Sequence, residues 1–296
     1  MADLRQSPNH ARFLRSMGWI VERKKGINYF IKRIPLIGSF IKVQRPERIN
    51  FEDIEELRKK YRVFQVVIEP KLCTVSVSRD DNTCSDSSFS VASKIVHDQL
   101  YTSGFKLSKS PFLPTKTIQI DLTKPEAILL KSFHYKTRYN IGKSQKLKVK
   151  IQKSNDIKKF ISLWHKWHHK RLGFLSQARQ IEAFYKAYGT DADLLMATKN
   201  GETIAGLLLF SYDRITYYMY AGSDKLGKKL FAPTLITWEA IKLAKKRGSK
   251  IFDFEGVYDE RFPLKSWLGF TRFKKSFGGQ EVSFPGCFLK PNIFRI

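Results

Sequence analysis

The sequence predicts an α/β protein with mixed sheets. Residues 193–256 carry this prediction, because they form a three-strand meander followed by a helix and one further strand. The chain of 296 residues is long enough for one large or two medium domains. Its composition, 42% hydrophobic and 14% aromatic, is typical of a folded protein rather than a disordered one.

Charge is the strongest global signal. Lysine and arginine number 54 against 27 aspartates and glutamates, which gives a net charge of +27. This excess predicts an anionic partner, such as a nucleic acid, a nucleotide sugar or lipid headgroups, and an association that weakens with salt. The alternative is a basic enzyme from a cell whose proteins are all basic.

Cysteine usage and the first residues bear on location. Cys73, Cys84 and Cys287 are odd in number and follow no metal-binding spacing, so we expect a reducing, cytoplasmic location. The segment "MADLRQSPNHARFLRS" lacks the apolar core of a secretion signal.

The most lipophilic stretch is "INYFIKRIPLIGSFIKV". Lys32, Arg33 and Pro35 interrupt it, and it is shorter than the roughly 20 apolar residues that cross a bilayer. Two interpretations stay open: peripheral contact with the inner face of a membrane, or a buried edge segment.

The first half of the chain contains one clear helix–strand pair. Residues 51–69 predict a helix followed by a strand that begins at Val63. Residues 77–90 are polar and rich in turn-forming residues, which predicts a loop. Residues 116–122 alternate between polar and apolar side chains, as a strand does.

A long helical pattern begins near Thr123, the expected N-cap, with Pro125 in its first turn. From Lys131 to Lys153 the chain has eight basic residues and no acidic residue. On a helix followed by a strand, this run predicts a cationic ridge rather than a neutral solvated face.

The elements of the second half are the clearest. Residues 156–171 predict an amphipathic helix. The meander after it has Asn200-Gly201 at its first turn, the dipeptide that two-residue hairpin turns prefer. Pro233 opens the next helix, Gly248 ends it, and the strand "KIFDFEG" follows directly.

This order is the core order of the GNAT N-acyltransferases. Five further stretches occur in register: "FLRSMGWIVERKKG", "VVIEP", "GFKLSKSPFLPTKTIQIDLTKPEAILLKSFHYKTRYNI", "LITWEAIKLAKKRGSKIFDFEGV" and "LGFTRFKKSFGGQEVSFPG". Together they resemble the Fem family of peptidoglycan interpeptide-bridge aminoacyltransferases. The last one is similar to the family signature Gly-x-x-x-Phe-Lys-x-x-Phe-Gly-Gly and is the most specific.

The resemblance implies two tandem GNAT-like domains. The linker near residues 121–127 gives the expected boundary: residues 1–124 and 280–296 form the acceptor-side domain, and residues 125–279 form the donor-side domain. Aminoacyl-tRNA is the implied donor, and an amino group of a peptidoglycan precursor, either UDP-MurNAc-pentapeptide or lipid II, is the implied acceptor. No cofactor is expected for this direct aminolysis. The chain has no room for the long helical hairpin of some family members, which leaves the contact with tRNA open.

Lys274 is the predicted catalytic residue. By resemblance it matches the motif lysine that faces the acyl end of the tRNA. Aminolysis of an ester passes through an oxyanion, which a fixed cation stabilises, and we expect Phe273 and Phe277 to lower the dielectric around it. The alternative is a surface lysine at a strand end. Lys275 is expected on the opposite face of the same strand, as a solvated charge.

Basic residues are expected to hold the anionic acceptor. The resemblance gives this role to Arg171, and a guanidinium suits it because it binds phosphate bidentately. Lys24 is similar to a basic position that contacts the phosphates of the precursor, and Arg23 beside it is an equal candidate. Arg138, in the stretch that resembles Lys-x-Arg-x-Asn-Ile, is a further substrate-binding candidate. For Arg171, Lys24 and Arg23, a plain surface or helix-end charge is the alternative.

Asp253 and Glu255 alternate on "KIFDFEG", so we expect both on one face and Phe252 and Phe254 on the other. Asp253 is the catalytic candidate and Glu255 a substrate-binding one. A carboxylate here could bind the incoming ammonium or accept its proton, since an amine of pKa about 10.4 needs such help at neutral pH. The alternative is a structural carboxylate at a loop. Tyr217, Tyr218 and Tyr220 are expected either to line the substrate channel or to pack half-buried, with Tyr218 facing opposite to the other two.

No metal site is expected. His165 and His169 lie four apart, as two ligands would, but no HExxH glutamate and no third ligand accompany them. Two other functions stay open: a GNAT-fold acyltransferase that uses a coenzyme A thioester, and a non-catalytic tRNA- or membrane-binding protein. The turn "DKLGKKLFAPT" has one glycine where coenzyme A enzymes usually have a Gly-x-Gly/Ala turn.

Overall fold

The computed structural model describes residues 1–71, 74–76, 91–168 and 174–291. Its strands are β1 (Ile20–Lys24), β2 (Ile27–Ile34), β3 (Gly38–Gln44), β4 (Val63–Glu69), β5 (Thr74–Ser76), β6 (Lys106–Leu107), β7 (Lys116–Asp121), β8 (Lys150–Ser154), β9 (Ala192–Lys199), β10 (Glu202–Tyr212), β11 (Ile215–Ser223), β12 (Ile251–Asp253), β13 (Gln280–Ser283) and β14 (Phe288–Pro291). Its helices are α1 (Pro8–Ser16), α2 (Phe51–Lys60), α3 (Val91–Thr102), α4 (Glu126–Ser132), α5 (Tyr135–Lys146), α6 (Ile157–His168), α7 (Phe174–Tyr188), α8 (Lys225–Lys229), α9 (Ala232–Lys246) and α10 (Leu268–Lys275). Within the described ranges, no helix combines the length and the hydropathy that a membrane span requires.

The chain separates into two compact units. The N-terminal unit comprises residues 2–117, 256–268 and 280–296, and the central unit comprises Met1 with residues 118–255 and 269–279. The boundary predicted at residues 124–125 therefore lies inside the central unit, between β7 and α4. Residues 256–268 group with the N-terminal unit rather than with the central one.

The N-terminal unit contains a sheet of strand order β1-β2-β3-β4-β14-β6. Strands β1 to β3 form an antiparallel meander, α2 follows β3 in the chain, and β4 lies parallel to β3. Tyr29 and Ile31 of β2 are fully buried in the core of this unit. Most of the lipophilic stretch is therefore buried, as one of its two interpretations has it, but it forms the interior strands β2 and β3 instead of an edge. Its turn, at Leu36 and Ile37, is exposed.

The central unit repeats the same order of elements. Its strands run β7-β12-β11-β10-β9-β8, with β9 to β11 as the predicted meander and β12 parallel to β11. Asn200 and Gly201 both have positive φ, as the predicted primed turn requires. Helix α9 joins β11 to β12 and buries one side, including Leu235, Ile236 and Ile241.

One predicted helix is two helices. Pro125, not Thr123, is the N-cap residue of α4. Thr123 instead donates its backbone N–H and hydroxyl to Oδ1 of Asp121, at 3.0 and 2.6 Å. Phe133 is extended and ends α4, and α5 begins after His134. The N-cap prediction is wrong because the aspartate before Thr123 forms a local turn with it.

The segment predicted as strands around Lys274 is helix α10. Alternation of aromatic and basic residues is compatible with both structures over so few residues. In the helix, Phe270 lies one turn before Lys274 on the same side. The predicted loop 77–90 and the last residues of the predicted helix 156–171 lie outside the described residues, while α6 confirms that helix over Ile157–His168.

The paired glycines after α10 are needed for close packing. Gly278 and Gly279 both have positive φ, +70° and +90°. A Cβ on Gly279 would lie 2.7 Å from the carbonyl oxygen of Gln119 in β7, and a Cβ on Gly278 would lie 3.0 Å from that of Ser132. The chain therefore leaves α10 against β7 and α4 at a distance that only glycine allows.

We predict that Gly279→Ala lowers the free energy of unfolding by on the order of 2 kcal/mol, through backbone strain and the clash with Gln119. Gly269→Ala is the matched control, because Gly269 lies in α10 with nothing within 4 Å of its added Cβ. That change should be neutral or stabilise by up to about 1 kcal/mol. Urea unfolding of the two variants measures both values, and equal stability of the two would contradict the packing role of Gly279.

Candidate functional site

The candidate site begins where two parallel strands of the central unit separate. Strand β12 pairs with β11 only from Ile215 to Tyr217. Beyond Tyr217, β11 continues to Ser223 along β10 alone. Such a separation of neighbouring strands leaves backbone and side chains open to a ligand between them.

A cavity of about 340 Å³ lies along this separation. Strands β10 and β11, helices α8 and α9, and helix α10 line it. The lining residues are Gly206, Tyr218, Ala221, Gly222, Ser223, Lys228, Pro233, Ile236 and Phe273. The positive end of the α9 dipole and the Lys228 ammonium both favour an anionic group at this cavity.

Lys274 lies beside this cavity with its ammonium buried. The residue is 8% exposed, and its Nζ donates to the carbonyl oxygen of Phe254 at 2.7 Å. That carbonyl is itself fixed, since the N–H of Phe254 donates to Ile118 of β7 at 3.0 Å. Nζ lies 4.8 Å from the ring centre of Phe270 and 5.6 Å from that of Tyr218, a lining residue of the cavity.

The electrostatics of this site act in opposite directions on Lys274. Burial lowers the pKa of its ammonium to about 8, while the carboxylates of Glu255 and Asp253 oppose that shift. At pH 7 roughly nine in ten copies are still protonated, by the ordinary titration relation. Burial also raises the pKa of the Tyr218 hydroxyl to about 12, against the effect of its hydrogen bond with the Thr237 side chain, so this phenol stays neutral.

The two predicted carboxylates do not alternate on one strand. Strand β12 ends at Asp253, and Glu255 has a left-handed backbone with φ of +53°. Asp253 is buried, and its oxygens accept the N–H of Glu255 and the side-chain amide of Gln119, both at 2.7 Å. These two bonds fix the turn after β12. Glu255 is half-buried beside them.

The predicted aromatic residues lie near Lys274 in another arrangement. Phe277 is fully buried and packs on Phe254 and Phe273, with ring centres 5.7 and 5.2 Å apart. Phe273 lines the cavity. The ammonium instead makes cation–π contacts with the rings of Phe270 and Tyr218. Tyr220 does not line the cavity and packs edge-on against Trp164 at 6.3 Å.

The structure gives the predicted basic residues separate surroundings. Arg138 is exposed and donates to the carbonyls of Lys131, at 3.1 Å, and Phe133, at the end of α4. Arg171 lies outside the described residues, as does His169. The other two candidates for anion binding, Arg23 and Lys24, lie on β1, and their contacts within the N-terminal unit distinguish them.

On β1, one candidate is fixed by the fold and the other lies at the surface. Arg23 donates to the carbonyl of Gln6 at 3.0 Å and to the Asn28 side chain at 2.7 Å, in a partly buried network. Lys24 forms an ion pair with Glu56, whose side chain is 62% exposed. An incoming anion can replace such an exposed partner far more easily than it can reach a guanidinium bonded within the fold.

Sequence reasoning missed two contributors to the site, Phe270 and Gln119, and named Tyr218 only as one of three tyrosines that line a channel or pack half-buried. Phe270 and Tyr218 carry the cation–π contacts of Lys274, and Gln119 holds Asp253. Helical spacing would have paired Phe270 with Lys274, four residues apart, once α10 was recognised as a helix. Gln119 comes from β7, distant in sequence, and no local pattern points to it.

Fold and cavity together define a class of protein. Each unit has the meander, helix and parallel strand of the GNAT fold, and β11 and β12 separate at the cavity of the central unit. The chain is a tandem GNAT-like protein with mixed α/β sheets, as the sequence predicts.

Comparison with known families gives the particular assignment. The FemAB family model matches residues 40–203 and 198–292, so the chain belongs to the FemAB family. This confirms the resemblance found in the sequence. No curated protein gives a significant match.

Solved structures share the fold. FemX superposes with a TM-score of 0.77 at 18% identity, over 98% of this chain and 92% of its own. The C-terminal domain of a putative lysylphosphatidylglycerol synthetase from Agrobacterium fabrum gives 0.58 at 11% identity, over 98% and 89%. L-PGS from Bacillus licheniformis gives 0.56 at 13% identity, over 96% and 86%. At these identities the likeness concerns the fold alone.

The lowered pKa of Lys274 predicts a pH-dependent stability difference. The unfolded chain keeps this proton up to about pH 10.5, whereas the folded chain releases it near pH 8. Between these pH values the unfolded chain binds more protons than the folded chain, so the free energy of unfolding rises with pH. Relative to Lys274→Met, the wild-type free energy of unfolding should therefore increase by on the order of 2–3 kcal/mol from pH 8 to 10.5. Urea unfolding across this range measures it. Lys275→Met, at an exposed position, should show no such trend, and a flat difference for Lys274→Met would contradict the buried ammonium.

Proposed function

We propose that this protein is a non-ribosomal aminoacyltransferase that moves an amino acid from aminoacyl-tRNA to an amino group of a peptidoglycan precursor. Membership of the FemAB family supports this function. The observation that carries it is the ammonium of Lys274, buried beside a cavity at the separated strands of a GNAT-like unit. We place the protein in the cytoplasm, where both substrates are made.

In this proposal the amine of the acceptor attacks the ester carbonyl of the donor. A C–N bond forms, the C–O bond to the terminal ribose breaks, and the amine proton is transferred to the departing ribose oxygen. The tetrahedral intermediate carries an oxyanion, and Lys274 stabilises it as a fixed cation. The hydrogen bond to Phe254 holds the ammonium in place before the reaction, so little reorganisation is needed.

The acceptor amine has to lose its charge before it attacks. Glu255 is half-buried and acts electrostatically on Lys274, so it lies within range of the reacting groups. We propose that Glu255 binds the incoming ammonium and that Asp253, whose oxygens already accept two hydrogen bonds, orients the turn that carries it. The two hydrogen bonds that Asp253 accepts thus favour positioning over direct proton transfer.

Lys24 is the better candidate of β1 for the phosphates of the precursor. Its partner Glu56 is exposed and replaceable, whereas Arg23 is bonded to Gln6 and Asn28 within the fold. We keep Arg171 as a proposed second anchor on the basis of the resemblance alone. Arg138 is proposed to act near the donor, at the exposed junction of α4 and α5.

A coenzyme A thioester is the alternative donor. The turn that would grip its pyrophosphate has Gly227, but a Cβ there would lie 2.2 Å from the carbonyl oxygen of Ile204. The glycine is thus explained by packing of α8 on β10. Exposed Lys228 at the cavity suits a polyanion of either kind, so the donor has to be tested directly.

The test supplies each donor with each acceptor. We expect purified protein with charged tRNA and either UDP-MurNAc-pentapeptide or lipid II to yield a precursor heavier by one or more amino acids, detected by mass spectrometry. Radiolabel that stays on the tRNA with every acceptor would overturn the proposal, and consumption of an acyl-coenzyme A would favour the alternative. Binding of tRNA without loss of the ester would indicate a non-catalytic protein.

Replacing Lys274 separates catalysis from folding. Lys274→Met should lower the transfer rate constant by about 10²–10³, the usual effect of losing one oxyanion donor. Lys275→Met, one residue further on an exposed face, is the matched control. Equal rates for both variants, measured with folded protein, would rule out the oxyanion role.

We further propose that the β2–β3 turn touches an anionic membrane surface. Leu36 and Ile37 are 109% and 61% exposed. The exposed cations Arg33 and Arg62 flank them. Arg62 is held at this turn because its carbonyl accepts the N–H of Ser39 in β3 at 3.2 Å. Aliphatic tips with neighbouring cations suit an anionic lipid surface. This location would bring the protein to a lipid-linked acceptor.

Sedimentation with vesicles tests this contact. Leu36→Asn with Ile37→Ser should lower binding to phosphatidylglycerol vesicles at least about tenfold, since burial of both side chains is lost. Asparagine tolerates the left-handed backbone of Leu36, which has φ of +65°. Ile128→Ser, at a 50% exposed isoleucine of the central unit, is the control. Unchanged binding of the double variant would remove the turn from the interface.

A further inference from the structure

Helix α5 presents an exposed stripe of tyrosine and lysine side chains. The stripe consists of Tyr135, Lys136, Tyr139, Lys143 and Lys146, which fall within about 100° of arc and extend over about 16 Å along an α-helix. Tyr135 is 61% and Tyr139 is 62% exposed, and the three lysines are exposed as well. The buried residues of α5 are Thr137, Ile141 and Ser144, on the opposite side.

The composition of this stripe is unlike that of an ordinary solvated helix face. Helix α2 of the same chain mixes acidic residues in its first turn with basic residues in its last turn, as solvated helices do. The chain from Lys131 to Lys153 has no carboxylate. Two large aromatic rings lie one turn apart and are exposed among cations. Such a surface suits a polyanion that also has planar rings or hydroxyl groups for the tyrosines to contact.

The stripe begins next to the helix that carries Lys274. The N–H of His134, the residue before α5, donates to the carbonyl of Ser276 just after α10, at 2.9 Å. The ring of Phe133 packs on that of Phe277 at 5.2 Å. Both contacts lie within the central unit. A ligand whose reactive end reaches Lys274 therefore has the stripe beside it.

We propose that the α5 stripe docks the double-stranded stem of the RNA donor. This inference rests on the proposed function, because it assumes a donor whose reactive 3′ end reaches Lys274. Lysines spaced along the helix can contact successive phosphates, and the tyrosine hydroxyls can bond to phosphate or ribose 2′-OH groups. An amphipathic membrane-binding helix buries a continuous apolar face of Leu, Phe or Trp, and the stripe contains none of these residues.

Binding of uncharged tRNA tests the stripe without any transfer reaction. The variant Lys136→Glu/Lys143→Glu/Lys146→Glu should weaken binding at least about tenfold and flatten the slope of log K against log salt by about two to three, since three phosphate contacts are lost. The charge-matched control is Lys94→Glu/Lys106→Glu/Lys109→Glu, at exposed lysines of the N-terminal unit. Tyr139→Ser keeps every charge of the stripe and should weaken binding with an unchanged slope.

A transfer assay then separates this inference from the proposed function. With an aminoacylated fragment that has only the single-stranded 3′ end, the stem contact is absent. The ratio of kcat/KM for whole tRNA to that for the fragment should fall at least tenfold in the stripe variant. If tRNA binding depends on the stripe but the wild-type protein transfers no amino acid, the proposed function is wrong and the stripe is still an RNA-binding site. The proposed RNA contact would be wrong if the stripe variant and the control variant bound tRNA with the same affinity and the same slope of log K against log salt. It would also be wrong if the stripe variant lost binding to anionic vesicles while its tRNA binding stayed intact.

Discussion

The buried ammonium of Lys274 is the constraint on which the end of the central unit depends. Removing a charge from water is unfavourable, and here the cost is offset by the Phe254 carbonyl, two aromatic rings and the carboxylates of Glu255 and Asp253. Directly after α10 the chain packs against β7 and α4, where Gly278 and Gly279 leave no room for a Cβ. The lysine, aromatic residues and glycines of the family signature thus all contribute to the packing around this ammonium.

The sequence predicts most elements of the fold and few contacts of the site. Long periodic segments such as α9 and the β9–β11 meander are confirmed, because propensity, turn chemistry and amphipathic pattern agree there. Short segments with two compatible patterns failed, and α10 is the example. Alternation predicts Asp253 and Glu255 on one face of one strand, yet β12 ends at Asp253 and Glu255 has a positive φ. A local pattern does not contain the partners, such as Gln119, that give each carboxylate its role.

In both units a carboxylate lies at the end of the strand that is parallel to the meander, but its surroundings differ. In the N-terminal unit β4, parallel to β3, ends in Glu69, which is 1% exposed and accepts the N–H groups of Phe112 and Leu113 and the amide of Gln44. In the central unit the corresponding strand β12 ends in Asp253, near a buried cation. The carboxylate is at the same place in both units. Both carboxylates hold a neighbouring backbone segment, and what differs is that the turn held by Asp253 lies beside the candidate site, next to Lys274.

Aminolysis sets opposite demands on two amines. The acceptor amine has to be neutral to attack, while Lys274 has to stay charged to stabilise the oxyanion. A pKa of about 8 leaves Lys274 mostly protonated at neutral pH, and the two carboxylates keep burial from lowering it further. The same carboxylates favour the charged form of any ammonium that comes near them. Binding of the acceptor therefore has to be followed by release of its proton to one of these groups or to water, and we propose Glu255, which is half-buried whereas Asp253 is buried, as the group that takes it.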